Sequence, residues 1–208
     1  MFVVLFEVQP HVQLWEDYLA VASLLRPELE AIEGFIDNTR FASARTPGRL
    51  LSLSTWRDEK SLIRWRTQAT HHDQGQQRGR LEIFADYRLR VAEVTADTHP
   101  PAGVPLQQSR YDETEVGAKA ATVFEPLHTG SAPAIADLDG AAGLADVERY
   151  DGVLEPHAPL LLASWTDLAA ARGGTPPSPT VRIRHARVIR EYGLRERREA
   201  PQYFPDIG

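Results

Sequence analysis

The chain predicts an α+β fold made of two ferredoxin-like modules in tandem, the second one shortened. Three observations carry this. Blocks of sequence recur in one order along the chain. Strand-like alternation and helix-like spacing succeed one another as β-α-β-β-α-β, the split βαβ unit. Such a unit covers one face of its sheet with helices and leaves the other apolar face in need of a partner.

The repeat comes first because a missed duplication misreads the whole fold. Val4-Leu5-Phe6-Glu7 returns as Thr122-Val123-Phe124-Glu125, and the run from Gly34 to Phe41 returns from Gly143 to Tyr150. Leu51 to Trp56 returns as Leu160 to Trp165, and Tyr87 to Val91 as Val181 to His185. Glycine to tryptophan spans 22 residues in both halves, 34 to 56 and 143 to 165. The connections differ. Glu7 to Gly34 is 27 residues where Glu125 to Gly143 is 18, and Trp56 to Leu89 is 33 where Trp165 to Ile183 is 18. The strands persist and the helices shrink.

Residues 2–9 alternate and are rich in β-formers, which predicts the first strand. Residues 12–32 place Leu14, Tyr18, Val21, Leu24, Leu25 and Leu29 at the spacing of an amphipathic helix, with a kink or a split expected at Pro27. Residues 35–42 and 49–56 read as a hairpin across Thr46-Pro47-Gly48-Arg49. Asp58 and Glu59 start a second helix whose buried stripe is Leu62, Trp65 and Ala69. Residues 86–95 alternate strictly as the fourth strand. The predicted organisation is a module over 1–95, a proline-bearing linker over 96–117, a shortened module over 118–192 and a tail over 193–208. The two sheets are expected to pack as a pseudo-dimeric barrel within one chain, leaving the chain a monomer or free to form a homodimer through other surfaces.

Composition sets the outer limits. The 208 residues are 42% hydrophobic and 25% charged, enough for a packed core. The net charge of −6 is spread evenly, which argues against a nucleic-acid or anionic-membrane binder. Cysteine is absent, so disulfides, thiolate metal sites and cysteine nucleophiles are excluded, and a cytoplasmic location is expected. The apolar start, Met1 to Phe6, is too short for a signal peptide or a membrane span.

The run His72-Asp73-Gln74-Gly75-Gln76-Gln77-Arg78-Gly79-Arg80, followed by Phe84 and Asp86 to Val91, resembles the antibiotic biosynthesis monooxygenase (ABM) domain. So does the Leu51–Trp56 strand ahead of a helix containing Trp65. The match spans residues 1–95 and reaches 118–192 through the repeat. The resemblance implies a dimeric α+β barrel with a pocket between the sheet and its two helices. Its superfamily includes cofactor-independent oxygenases of aromatic substrates and haem enzymes, so the fold alone does not fix the chemistry.

His72 is the first catalytic candidate. On an unbroken helix it shares the side of Trp65, Ala69 and Gln76, and His71 falls on the opposite side, facing water. His72 either packs the helix end, ligates haem b iron, or acts as a general base towards a phenolic substrate that then meets dioxygen. Trp65 is either core or a wall against a flat ligand. Gln76 and Phe84 complete the expected substrate pocket. Glu7 is placed in it too, and stands where haem-degrading relatives need an asparagine. With its repeat partner Glu125 it is a buried carboxylate of raised pKa if it points into the barrel, and a surface charge if it points outward. Arg40 and Arg149 recur, as do Asp37 and Asp146. They read as a structural ion pair kept in both copies, or Arg40 holds a substrate carboxylate or a haem propionate. Isolated His157 and His185 carry no role.

The leading functional reading is an ABM-type oxygenase acting on a planar aromatic or similar small metabolite in the first module, with no cofactor required. A haem-dependent protein with His72 as axial ligand and a non-catalytic small-molecule binder are the alternatives.

Overall fold

The computed structural model describes residues 1–128, 135–153 and 159–201. In the first half, β1 (Phe2–Pro10) leads to α1 (Trp15–Glu30), the hairpin β2 (Phe35–Ser43) and β3 (Leu50–Trp56), α2 (Glu59–Thr67) and β4 (Phe84–Asp97). The second half supplies β5 (Ala120–Pro126), β6 (Leu144–Gly152), β7 (Leu160–Trp165), α3 (Leu168–Gly173) and β8 (Val181–Gly193). The strands close into one barrel in the order β1-β3-β2-β6-β7-β5-β8-β4. Each half keeps the ferredoxin-like order 4-1-3-2. The seams are β2 against β6, from Phe41↔Gly152 to Ser43↔Tyr150, and β4 against β8, from Arg88↔Gly193 to Asp97↔Arg184. Closure removes every free sheet edge, which is how the duplicated module buries the bare face of each sheet. Leu5, Phe41 and Leu53 of the first half meet Val123, Leu162 and Val188 of the second inside it.

The repeat is visible in its smallest devices. Gly34 and Gly143 adopt φ of +89° and +78°, a region that favours glycine. Their carbonyls accept from Arg57 N at 2.8 Å and Thr166 N at 2.9 Å. One residue later β2 and β6 each carry an irregularity, at Phe35/Asp37 and Leu144/Asp146. Asp58 caps α2 by accepting from Ser61 N, and Asp167 caps α3 by accepting from Ala170 N, both at 2.8 Å. Trp56 and Trp165 are fully buried at matching positions.

Several expectations need correction. α1 is not split at Pro27 but runs through it; Pro27 forfeits one backbone bond, and the packing of Tyr18, Leu25 and Leu29 offsets the loss. Leu24, expected in the same stripe, is 56% exposed because it falls on the helix's outer side. The recurring aspartates and arginines do not pair with each other. Asp146 is held by Arg45 of the β2–β3 hairpin at 2.8 Å, and Arg149 pairs with Asp151, two residues on along the same strand and face, at 3.0 Å. The connection between β4 and β5, residues 98–119, packs onto the barrel, which leaves its expected role as a linker in place. Glu93 accepts from the Ser109 hydroxyl at 2.7 Å and Arg110 N at 3.0 Å, and Thr114 N reaches Val188 O at 2.9 Å. His157 lies outside the described residues. His185 bonds the Thr122 hydroxyl at 3.0 Å.

Inside the barrel, charged groups cross between halves. Glu7 accepts from Arg88 at 2.8 and 2.9 Å, from Arg90 at 3.0 Å and from the Tyr150 hydroxyl at 2.9 Å. Arg90 reaches over to Ser164 at 2.8 Å, and Arg184 reaches back to Thr55 at 3.1 Å, a pseudo-symmetric exchange. The raised pKa expected of an inward-pointing Glu7 is reversed: burial pushes the carboxyl up, but Arg90, Arg88 and Tyr150 outweigh it and hold it at about 2.

Candidate active site

A cavity of about 720 Å³ lies on the outer face of the first half's sheet, under α1, α2 and the segment that follows α2. Strand alternation builds its floor. Val4 and Phe6 of β1, Asn38 and Arg40 of β2, Ser52 and Ser54 of β3, and Leu89 and Val91 of β4 all project to this side. Tyr18, Leu25, Leu62 and Trp65 come down from the helices. The far end of the chain completes the wall with Ile189, Arg190, Tyr192 and Arg197. The corresponding face of the second half is filled. There Leu161, Ala163 and Trp165 pack against Ala171 of the short α3, with Val147 at their edge.

The histidine segment departs from the predicted helix. α2 ends at Thr67, Gln68 is extended (φ −64°, ψ 130°), and the chain re-enters as π-helical turns over His71–Gln77 and Gly79–Ile83. Wider π turns are uncommon and often accompany functional sites. Two glycines permit the close approach: a Cβ at Gly79 would meet the Phe84 ring at 2.5 Å, and one at Gly75 would meet His71 and Leu25 at 2.9 Å. The helical phase that put His71 in water therefore does not apply. Both histidines line the cavity.

His71 stacks on Trp65, ring centroids 4.0 Å apart and planes 13° from parallel. Its Nδ1 lies 2.9 Å from the Trp65 carbonyl. A carbonyl only accepts, so the hydrogen sits on Nδ1 and the lone pair on Nε2. Burial drives the His71 imidazolium pKa down to about 4, against the help of that carbonyl. His72 is 8% exposed, and its Nε2 lies 3.1 Å from the Gln77 amide nitrogen, a donor. Gln68 ties the break together: its Oε1 accepts from His71 N at 2.6 Å and its amide reaches Glu28 of α1.

The other expected residues divide. Trp65, Gln76, Arg40 and Phe84 line the cavity with His72. Gln76 donates to the Arg66 carbonyl at 2.7 Å, and its amide nitrogen is 3.3 Å from His71 Nδ1. Phe84 meets Phe6 edge-on at 5.7 Å. Glu7 is not in the pocket. Its side chain occupies the alternate face and points into the barrel, because Phe6 and Val8 take the helix side. The sequence reading missed His71, Tyr18, Asn38 and Ser52, and all of β8 and the tail. For Asn38 and Ser52 a signal existed, since their repeat partners are Val147 and Leu161.

Among the described residues, no group of three or more His, Asp or Glu side chains is placed to hold a metal ion. The residues do not fit a haem site of the expected kind. The His72 Nε2 that would ligate iron is engaged by Gln77, and Arg40 lies on the floor beside Tyr18. Among the described residues no helix is long and apolar enough to cross a membrane.

A closed α+β barrel with one roofed, mostly apolar cavity defines a small-molecule-binding member of its fold class. The family model described as antibiotic biosynthesis monooxygenase matches residues 1–78. A jasmonate monooxygenase ABM from Pyricularia oryzae is 38% identical over 217 residues, covering 99% of this chain and 99% of that protein. Among solved structures, an aldoxime dehydratase is similar over 90% of this chain and 80% of its own, with 11% identity and a TM-score of 0.53, a likeness of fold alone. A structure described as antibiotic biosynthesis monooxygenase covers 44% of this chain and 95% of its own, with 12% identity and a TM-score of 0.39. This chain belongs to the antibiotic biosynthesis monooxygenase family, and it is a monooxygenase of the ABM type.

Proposed function

We propose that the cavity of the first half holds one small, largely apolar metabolite of the jasmonate kind for reaction with dioxygen, and that the His71–His72 pair handles its proton. The substrate class comes from the relative whose name carries it. The observation that carries the proton role is the state of His71. The Trp65 carbonyl holds the hydrogen on Nδ1 and leaves the Nε2 lone pair as the acceptor at the cavity wall. Burial, which holds the imidazolium pKa at about 4, keeps the ring unprotonated at neutral pH and makes it a weak base. His72 stands next in line on the same wall, its Nε2 3.1 Å from the Gln77 amide nitrogen. The apolar roof of Tyr18, Leu25 and Leu62 excludes water from the proton-transfer site. No added cofactor enters this reading.

A planar aromatic substrate is the second reading. The flat Trp65–His71 stack at the cavity wall favours it, since aromatic faces prefer offset stacking. The chain's lack of cysteine supports action in a reducing cytoplasm.

The test is incubation of purified protein with jasmonate under ¹⁸O₂ without added cofactor, followed by mass spectrometry. Without a reductant the step balances only if a CH₂ of the substrate becomes C=O, one oxygen atom staying on carbon and the other leaving as water with the two hydrogens. A product that carries one ¹⁸O atom and has lost two hydrogens supports the proposal. Unchanged jasmonate, alongside an aromatic acid that does gain oxygen, moves the assignment to the planar class.

A further inference from the structure

We propose that Arg40 and Ser52, side by side on the cavity floor, form the subsite that takes the substrate's carboxylate. This deepens the function proposed above and rests on it. The two residues are direct partners across the β2–β3 ladder, which brings their side chains together on one face.

Asn38 prepares the hydroxyl. It donates its amide hydrogens to Ser52 Oγ at 2.8 Å and to the Leu53 carbonyl at 3.2 Å. A hydroxyl that already accepts keeps its own hydrogen for donation, so Ser52 presents a donor. Arg40 supplies the charge. Its Nε is buried with no hydrogen-bond partner among the described residues, and its neighbour in the cavity is the Tyr18 hydroxyl. No ion pair to a carboxylate is found for it among the described residues, as for Arg80, Arg190 and Arg197 at the rim; what sets Arg40 apart is its place on the sheet floor beside Ser52, with its Nε buried. A guanidinium placed under an apolar roof is costly unless an anion joins it.

The repeat provides an internal control. At the positions of Asn38 and Ser52 the second half carries Val147 and Leu161, both packed in its core. The counterpart of Arg40 is Arg149, which turns to solvent, 50% exposed, and pairs with Asp151. Polar floor and open cavity occur together, and apolar floor and filled face occur together. A floor that served only to hold the sheet would have no reason to differ.

The experiment is calorimetric titration of the full chain at neutral pH with jasmonate and cinnamate, each as free acid and as methyl ester. Wild type is expected to prefer the acids by roughly 10–100-fold, the worth of charge-assisted hydrogen bonds. Arg40→Met should erase that preference while ester affinity stays within about threefold, and Ser52→Ala should lower it by about tenfold. Should Arg40→Met not fold, Arg40→Lys keeps the charge but loses the fork, and is expected to weaken acid binding with ester binding unchanged. Equal binding of acid and ester, a preference that survives Arg40→Met, or no binding of either acid overturns the subsite. Jasmonate left unoxidised while the Arg40-dependent preference holds removes the activity reading alone. Oxidation of jasmonate and its ester at equal efficiency removes the subsite alone.

Discussion

The two halves of this barrel start from one pattern and end with different contents. Both turn on a positive-φ glycine, both cap a helix with an aspartate three residues before its first bonded amide, and both bury a tryptophan at the end of the third strand. Above that frame they diverge. The first half keeps a sixteen-residue α1, a nine-residue α2 and the π-helical turns, which roof a cavity of about 720 Å³. The second keeps a six-residue α3 set directly on Leu161, Ala163 and Trp165. A sheet face can be sealed by short helices and large side chains, or spanned by long helices above small polar ones. Only the second arrangement leaves room for a guest.

The largest effect expected is on turnover. His71→Ala should lower kcat by roughly 10²–10⁴-fold with little change in KM, the usual worth of a positioned base. His72→Ala should cost less. A larger loss at His72 than at His71, by steady-state kinetics, transfers the base to His72. His185, the histidine of the second half, should be replaceable by Gln without loss of turnover.

Stability separates the halves next. Glu7→Gln leaves Arg88 and Arg90 without their shared carboxylate and should cost about 3–5 kcal/mol in denaturant unfolding. Glu125→Gln, at the matching but more exposed position, should cost clearly less. Equal losses would make the two networks equivalent and remove the asymmetry.

The floor residues offer a sharper contrast. Leu161→Ala should destabilise by about 2–5 kcal/mol, because it opens a hole in a filled core. Ser52→Ala at the equivalent position should change stability by less than about 1 kcal/mol, because it borders a space that is already open. Melting temperatures of the pair decide this directly.

Acid response separates the two groups by pH. The Glu7 carboxyl sits at about 2 against an ordinary 4.5, so its contribution is complete above 4.5 and is lost as the pH falls towards 2. The His71 imidazole sits at about 4 against an ordinary 6.5. The unfolded chain takes up that proton first, so stability declines as the pH drops from 6.5 to 4. His71→Ala should flatten the upper window of the stability profile and Glu7→Gln the lower one. The acid limb of kcat/KM should fall near pH 4; a limb at 6 or above contradicts His71 as the base.

Much of this was legible in the residues. The duplication, strand order and shrinking helices all follow from block spacing and periodicity, because local patterns set them. Trp65, Gln76, Phe84, Arg40 and His72 do line the cavity, but His72 and Gln76 arrive there through π-helical turns rather than the unbroken helix expected, and Phe84 was suggested by the family resemblance. What failed depended on geometry that no period encodes. The π-helical turns after Gln68 rotate His71 from solvent into the wall, and only Gly75 and Gly79 hinted that the α-helical phase would break. Glu7 looked like a pocket carboxylate until the barrel closed around it. Ile189, Arg190 and Tyr192 are distant in sequence and reach the cavity only through the β4–β8 seam. Asn38 and Ser52 were visible in the repeat itself, as polar residues set against Val147 and Leu161.

The most direct measurement is oxygen uptake by wild type and by Ala22→Trp, which puts a large ring into the cavity from α1, assayed side by side with jasmonate and cinnamate. If the reaction takes place in the roofed space of the first half, the tryptophan variant keeps its melting temperature within about 3 °C and loses uptake with both acids. Undiminished uptake by a well-folded Ala22→Trp protein would mean that the chemistry occurs elsewhere.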